Sequence, residues 1–276
     1  MSRVFWLLFF NKAYLQKFSP CYNYNVMIKT NYEKLNLMLE QMKILEAKYG
    51  ITLPNSFNQF SRQYYFGDVL KFKKDYFKFT LNLFEFNKPV QIVSNDKYEK
   101  MKGVCVGNNN HVEIRELYRG ARDISHHHNL IFDDDYHPGV GDYFFGLFTA
   151  NNFSTAETYA NRKKENVLKL KTQDLIVADN MFFDIILSNL DKDLSNFPVS
   201  KEKIDDFIKF MGDQSEEDRS KFLSMLYDNI SLFAVYLGFD CIFDQSFPSY
   251  VILNRGKIAI SQKEADRIAA SQFQPQ

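Results

Sequence analysis

Apolar residues return at helical intervals early in the chain. Leu35, Met38, Leu39, Met42 and Leu45 lie three or four apart, as along one face of a helix. Thr30 and Glu33 stand ahead of them in the spacing of a capping box, and Gly50 follows as a stop. Residues 57–87 are crowded with Phe and Tyr. Within them Phe77, Phe79, Leu81 and Leu83 alternate with Lys78, Thr80 and Asn82, a pattern that suits a strand while leaving a helix open. A strand is expected over Val112–Tyr118, ending in a turn at Arg119-Gly120. The polar run 123–146 is too long for an ordinary connection, which marks it as functional or mobile. Short strands are expected at Leu147–Ala150 and Val167–Leu170. Between them Ser154 is placed to cap a helix through Ala156, Tyr159 and Ala160. Ser200 precedes one further helix, with Ile204, Phe207, Ile208 and Met211. The Ser215/Asp218 pair precedes another, with Phe222, Met225 and Leu226. A third, over 226–237, stops at Gly238. Strands at Phe239–Phe243, Tyr250–Leu253 and Lys257–Ile260 then close the pattern.

The reading is an α+β chain with an N-terminal appendage 1–26, a helix-rich module 27–103 without a chemical motif, a main domain 104–266 and a frayed tail 267–276. With 45% apolar residues a sizeable core is expected. Lys plus Arg and Asp plus Glu each number 34, so no broad cationic face argues for wholesale nucleic-acid binding. Cys21, Cys105 and Cys241 are few, scattered and odd in number. They support neither a disulfide framework nor a CxxC-type zinc site, and reduced thiols in a cytosolic compartment are the default reading. The apolar run Val4–Phe10 is too short to span a bilayer, and no small-residue cleavage site follows it closely.

Three segments carry candidate chemistry. The first is Glu116-Leu-Tyr-Arg-Gly-Ala-Arg122, with Arg119 and Gly120 at its centre. The second runs from Gly146 through Phe148 and Thr149 to Tyr159. The third joins Gly238-Phe-Asp240 to Tyr250-Val-Ile-Leu-Asn-Arg255. In order and spacing they resemble the ADP-ribosyltransferase superfamily, whose members transfer ADP-ribose from NAD. The first is similar to its L-[YW]-[RH]-G strand end. The second is similar to its G-[IV]-Y-F-[AT] strand followed by A-x-x-Y, and the third to its closing strand pair. The resemblance implies a split, mostly antiparallel two-sheet domain with NAD as substrate in the cleft. It also implies mono-ADP-ribosyl transfer to a protein or nucleic-acid acceptor, inside the cell or as a delivered effector. In that reading Arg119 anchors NAD, Gly120 docks the nicotinamide amide and Thr149 supports Arg119. Phe148, Tyr159 and Tyr250 line the cofactor, with Tyr159 stacking on the nicotinamide.

The chemistry suits such residues. A pyrophosphate calls for a cation that donates several hydrogen bonds in a fixed fork. A glycine lets its own N–H and C=O approach a carboxamide. One departure is plain. Ser249 stands where the superfamily places its Glu, and no Glu lies between Glu217 and Glu264. Asp244 or Gln245 is then expected nearest the scissile bond, and a weak NAD-binding module or an NAD glycohydrolase stays open. A different chemistry is suggested by His126-His127-His128, Asp133-Asp134-Asp135 and His137, which are metal-ligating types. Consecutive histidines point in different directions on any regular backbone, so a metal-dependent hydrolase ranks below the NAD reading and no metal ligand is assigned.

Overall fold

The structure, a computed structural model, describes residues 29–54, 67–102, 105–106, 111–112, 116–133, 136, 139–140, 144–179, 182–183, 199–244 and 249–271. Helix α1 (Asn31–Tyr49) begins at the predicted capping box. The Thr30 hydroxyl accepts from the Glu33 N–H at 3.2 Å, and the Glu33 carboxylate accepts from the Thr30 N–H at 2.7 Å. Gly50 closes the helix in the left-handed region, at a φ of 61°. All five predicted apolar positions are buried.

Helix α2 (Gly67–Leu83) corrects the alternating reading of residues 77–83. Phe72, Tyr76, Phe77, Thr80 and Leu81 are buried, and their three-and-four spacing is a helical stripe that Phe79 and Leu83 disguised. Lys73 travels inward beside Phe72 and meets Asp228 at 2.5 Å, both side chains almost wholly inaccessible.

The chain continues through β1 (Gln91–Val93), α3 (Asn95–Lys100), β2 (Cys105–Val106), β3 (His111–Val112) and β4 (Leu117–Gly120). Next come α4 (Ser125–Phe132), β5 (Gly139–Val140), β6 (Phe145–Ala150), α5 (Phe153–Tyr159), β7 (Val167–Thr172) and β8 (Leu175–Asp179). Three helices follow, α6 (Lys201–Asp213), α7 (Glu216–Asp228) and α8 (Ile230–Leu237). Strands β9 (Cys241–Asp244), β10 (Ser249–Ile252) and β11 (Ile258–Ser261) lead into α9 (Gln262–Ser271). Several local expectations change. Arg119 and Gly120 lie inside β4, paired with β7, rather than in a turn. The polar stretch 123–146 holds α4 and β5. Asn152, not Ser154, caps α5, its side-chain oxygen taking the Thr155 N–H at 2.8 Å. Helix α9 replaces the first part of the expected frayed tail. Ala265 and Ile268 are buried, and the Arg267 guanidinium holds the Glu165 carbonyl at 2.6 Å.

The strands form one mixed sheet, ordered β1-β11-β7-β4-β6-β10-β9-β8-β2-β3, with β5 beside β6. Pairing is parallel at β1–β11, β2–β8 and β8–β9 and antiparallel elsewhere. Two separate sheets were expected; the strand path is continuous. Its narrowest link is β4–β6, where Tyr118↔Ala150 is the sole register pair among the described residues. Helices α1 and α2 share one core with α6, α7 and α8, against β6, β9 and β10. A second core places Leu130 and Ile131 of α4 and Ile268 of α9 with Leu117, Leu168 and Ile258. Among the described residues no helix is long and apolar enough to cross a membrane.

Candidate functional site

The sheet opens beside Gly120. Residues along an antiparallel pair alternate between those that exchange backbone hydrogen bonds and those that do not. The Ala121 N–H donates to the Asn166 carbonyl at 3.1 Å, so this is a bonded position. Gly120, one residue earlier and opposite Val167, is therefore unbonded to β7, and its N–H and C=O point toward β6. Strand β6 carries no register pair with β4 at this level among the described residues. Its edge meets β4 only at Ala150 and is next taken up by β5 at Gly146 and Phe145. The same alternation aims the Phe148 N–H and C=O at this gap. Among the described residues the register therefore leaves a notch between the two strands, edged by a donor and an acceptor from each.

Gly120 is fixed by packing as well. A Cβ there would lie 1.8 Å from the Ala156 carbonyl oxygen and 2.9 Å from the Ala160 nitrogen, so only glycine lets α5 rest on β4. That contact sets the two faces. Tyr118 and Gly120 face α5, where Tyr118 meets Phe153 edge-on at 5.8 Å. Arg119, on the alternate position, points to the other face.

On that face Arg119 is half-buried and donates from Nη1 to the Tyr136 hydroxyl at 3.2 Å. Tyr136 is buried, and the Arg255 guanidinium lies 5.3 Å from its ring centroid. Arg255 is a scaffold. It is 5% exposed and donates to the carbonyls of Lys88 (3.0 Å), Leu130 (3.2 Å) and Asp133 (2.8 Å), drawing α4 and the 86–88 segment together. Of the five N–H donors of Arg119, the Tyr136 oxygen uses one, and Arg119 forms no ion pair among the described residues. The cluster is rich in donors and, among the described residues, holds no carboxylate bound to Arg119.

The chain just after Gly120 is pinned by Asn166. Its carbonyl accepts from Ala121 and from His127 Nε2 at 2.9 Å, and its side-chain amide donates to the Arg122 carbonyl at 3.0 Å. A carbonyl can only accept, so His127 carries its proton on Nε2 and leaves Nδ1 as a buried lone pair with no partner among the described residues. Burial first, then the Arg119 charge, pushes His127 from its usual 6.5 down to about 3. A depressed histidine stabilises the fold fully above its unfolded pKa and loses that contribution as pH falls toward the folded one. From about pH 7.5 to about pH 5 the protein is expected to lose roughly 2 kcal/mol of unfolding free energy through this residue. Urea titrations across that window check it. His127→Leu should flatten the slope, and an unchanged slope would refute the assignment.

The other histidines do not converge with His127. His126 is exposed and His128 lies against the Phe132 ring at 4.8 Å. Among the described residues no three His, Cys, Asp or Glu side chains form a metal-holding group, while Asp134, Asp135 and His137 lie outside the described residues.

The remaining sequence candidates separate. Thr149 donates its hydroxyl to the Tyr250 carbonyl at 2.8 Å, so it ties β6 to β10 rather than supporting Arg119. Phe148 is half-buried against the larger core. Tyr250 is buried, its ring 4.9 Å from Phe243, and serves packing instead of lining an open site. Tyr159 is 60% exposed at the end of α5, on the face of β4 opposite Arg119, so the two do not gather on one side of the strand. Asp240 is spent on structure, accepting from the Ile176 N–H at 3.0 Å and the Asn254 amide at 2.7 Å. Asp244 is buried opposite Ser249 in a row that runs Tyr118, Ala150, Ser249, Asp244 across four strands. Three strand steps put Asp244 about 14 Å from Tyr118, too far to reach a group docked at Gly120. Gln245 lies outside the described residues.

Comparison with known proteins yields nothing. No protein-family model, curated protein or solved structure matches this chain. The functional reading therefore rests on the geometry and on the three motifs. Nothing in the spacing of Tyr136 marks it, since α4 stands between it and Arg119 in the sequence. Arg255 stood in the third motif, where a strand-end arginine gave no sign of its carbonyl partners, Asn87 among them at 3.5 Å.

Proposed function

We propose that the chain binds NAD at the β4–β6 notch and transfers ADP-ribose from it to a macromolecular acceptor. The observation that supports this most is the pairing, on adjacent residues, of an arginine bound to no carboxylate among the described residues with a glycine edge unbonded to β7. Arg119 offers N–H donors to a pyrophosphate. Gly120 offers one N–H and one C=O, the complement of a primary carboxamide, toward a gap where β6 carries no register pair with β4 among the described residues. Such an edge would grip nicotinamide as a neighbouring strand would. Transfer then breaks the bond between the ribose anomeric carbon and the nicotinamide nitrogen, whose electron pair leaves with the neutral nicotinamide. The acceptor's nucleophile bonds to that carbon and gives up a proton to solvent or a nearby base.

A slow or absent transfer step is the second reading, and the position of Asp244 favours it. Ser249 lies two strands from β4 and is no base, so nothing on that row near Gly120 steadies a developing cation. Radiolabelled NAD incubated with the full chain and a cell lysate tests the proposal. Label on protein or nucleic acid is the expected result. Free ADP-ribose alone points to hydrolysis, and binding without consumption points to the second reading. Neither binding nor consumption would sink both.

A further inference from the structure

The hydroxyl of Tyr136 is half-used. Its oxygen accepts from Arg119, while its proton has no acceptor among the described residues. A buried phenol that leaves its proton unspent is costly unless something fills the gap. Its neighbours say what that is. One arginine sits on its oxygen and a second, Arg255, on its ring face, so the phenol stands in a positive field. The bond from Arg119 also draws electron density off the oxygen, making its O–H a better donor. Arg119 adds N–H donors of its own on the same face of β4.

We propose that Tyr136 is the second anion-binding group of this site, holding a phosphate oxygen of a pyrophosphate ligand through its O–H while its oxygen orients Arg119. The inference rests on the NAD reading for the identity of the ligand, but the anion chemistry stands on the Arg119–Tyr136–Arg255 cluster alone. Arg255 holds the ring from behind and makes no contact with the ligand. The arrangement selects ligands by charge: a pyrophosphate engages Tyr136 and Arg119 together, whereas a neutral nicotinamide reaches only the Gly120 edge.

The test is calorimetry on the full chain with three probes, inorganic pyrophosphate, NAD and nicotinamide. Tyr136→Phe keeps the ring under Arg255 and deletes only the hydroxyl. It is expected to weaken binding of the anionic probes about 10-fold, the scale of one charge-assisted hydrogen bond. Nicotinamide affinity and the urea midpoint should stay as in the wild type, which a merely structural role for Tyr136 would not allow. Equal anion affinity in the two proteins overturns the proposal, as does an equal loss for all three probes. A wild type that binds pyrophosphate but not NAD removes the NAD reading and leaves the pyrophosphate comparison to decide Tyr136. A wild type that binds neither anion overturns both.

Discussion

Asp228→Ala is expected to destabilise the protein by about 3–5 kcal/mol, because it removes the carboxylate that pairs with the Lys73 ammonium inside the larger core. The pair is among the most deeply buried charges described, with side-chain exposures of 2% and 4%. Burial raises the Asp228 pKa even though Lys73 opposes the shift, a sign that the surroundings supply little solvation. The lesion should not stay local. Lys73 belongs to α2 and Asp228 ends α7, so the pair joins the front helices to the later ones. One residue on, Asn229 caps α8 by accepting from the Ser231 N–H at 3.2 Å. Ser231 in turn accepts from the Phe145 N–H at 3.0 Å at the start of β6. Loss of Asp228 therefore loosens the strand that edges the notch. Urea unfolding of the single variant measures the effect. Lys73→Met combined with Asp228→Leu should recover most of it, since an apolar pair of similar volume needs no charge partner. A loss below about 1 kcal/mol in the single variant would show that the charges are better hydrated than their burial implies.

How far the sequence disclosed this structure depends on whether the deciding contact is local. The capping box at Thr30 and Glu33 needs only residues three apart, and it is found as read. The α2 stripe was hidden because Phe and Leu occupy positions off the buried face as well as on it, which blurs a period of 3.6 into one of two. Helix α9 was missed for a related reason. It buries little beyond Ala265 and Ile268, and its hold on the domain comes from Arg267 reaching carbonyls about a hundred residues away. At the site, Arg119 and Gly120 were legible as a motif, yet their roles were set by things no motif contains. The strand register turns the Gly120 amide toward β6, and alternation sends Arg119 and Tyr159 to opposite faces. Tyr136 and Arg255 join Arg119 only through the packing of α4, so no sequence spacing pointed to them as a set.

Arg119→Ala is expected to weaken NAD binding about 100-fold, the loss of two charge-assisted hydrogen bonds to the pyrophosphate. Its effect on stability should be small, on the order of 1 kcal/mol or less, because the side chain is half-buried and its partner is a neutral phenol. Large loss of affinity with little loss of stability is what separates a ligand-binding arginine from a structural one such as Arg255, whose removal would free several backbone carbonyls at once. Arg119→Lys should recover only part of the affinity, since an ammonium keeps the charge without the planar fork. His127 gives a readout that needs no ligand. The Arg119 charge is the second cause, after burial, of its depressed pKa, so Arg119→Ala should move the histidine upward in an NMR titration. An upward shift with unaltered NAD affinity would place Arg119 beside His127 as the structure has it and still defeat the assignment of this arginine to the pyrophosphate.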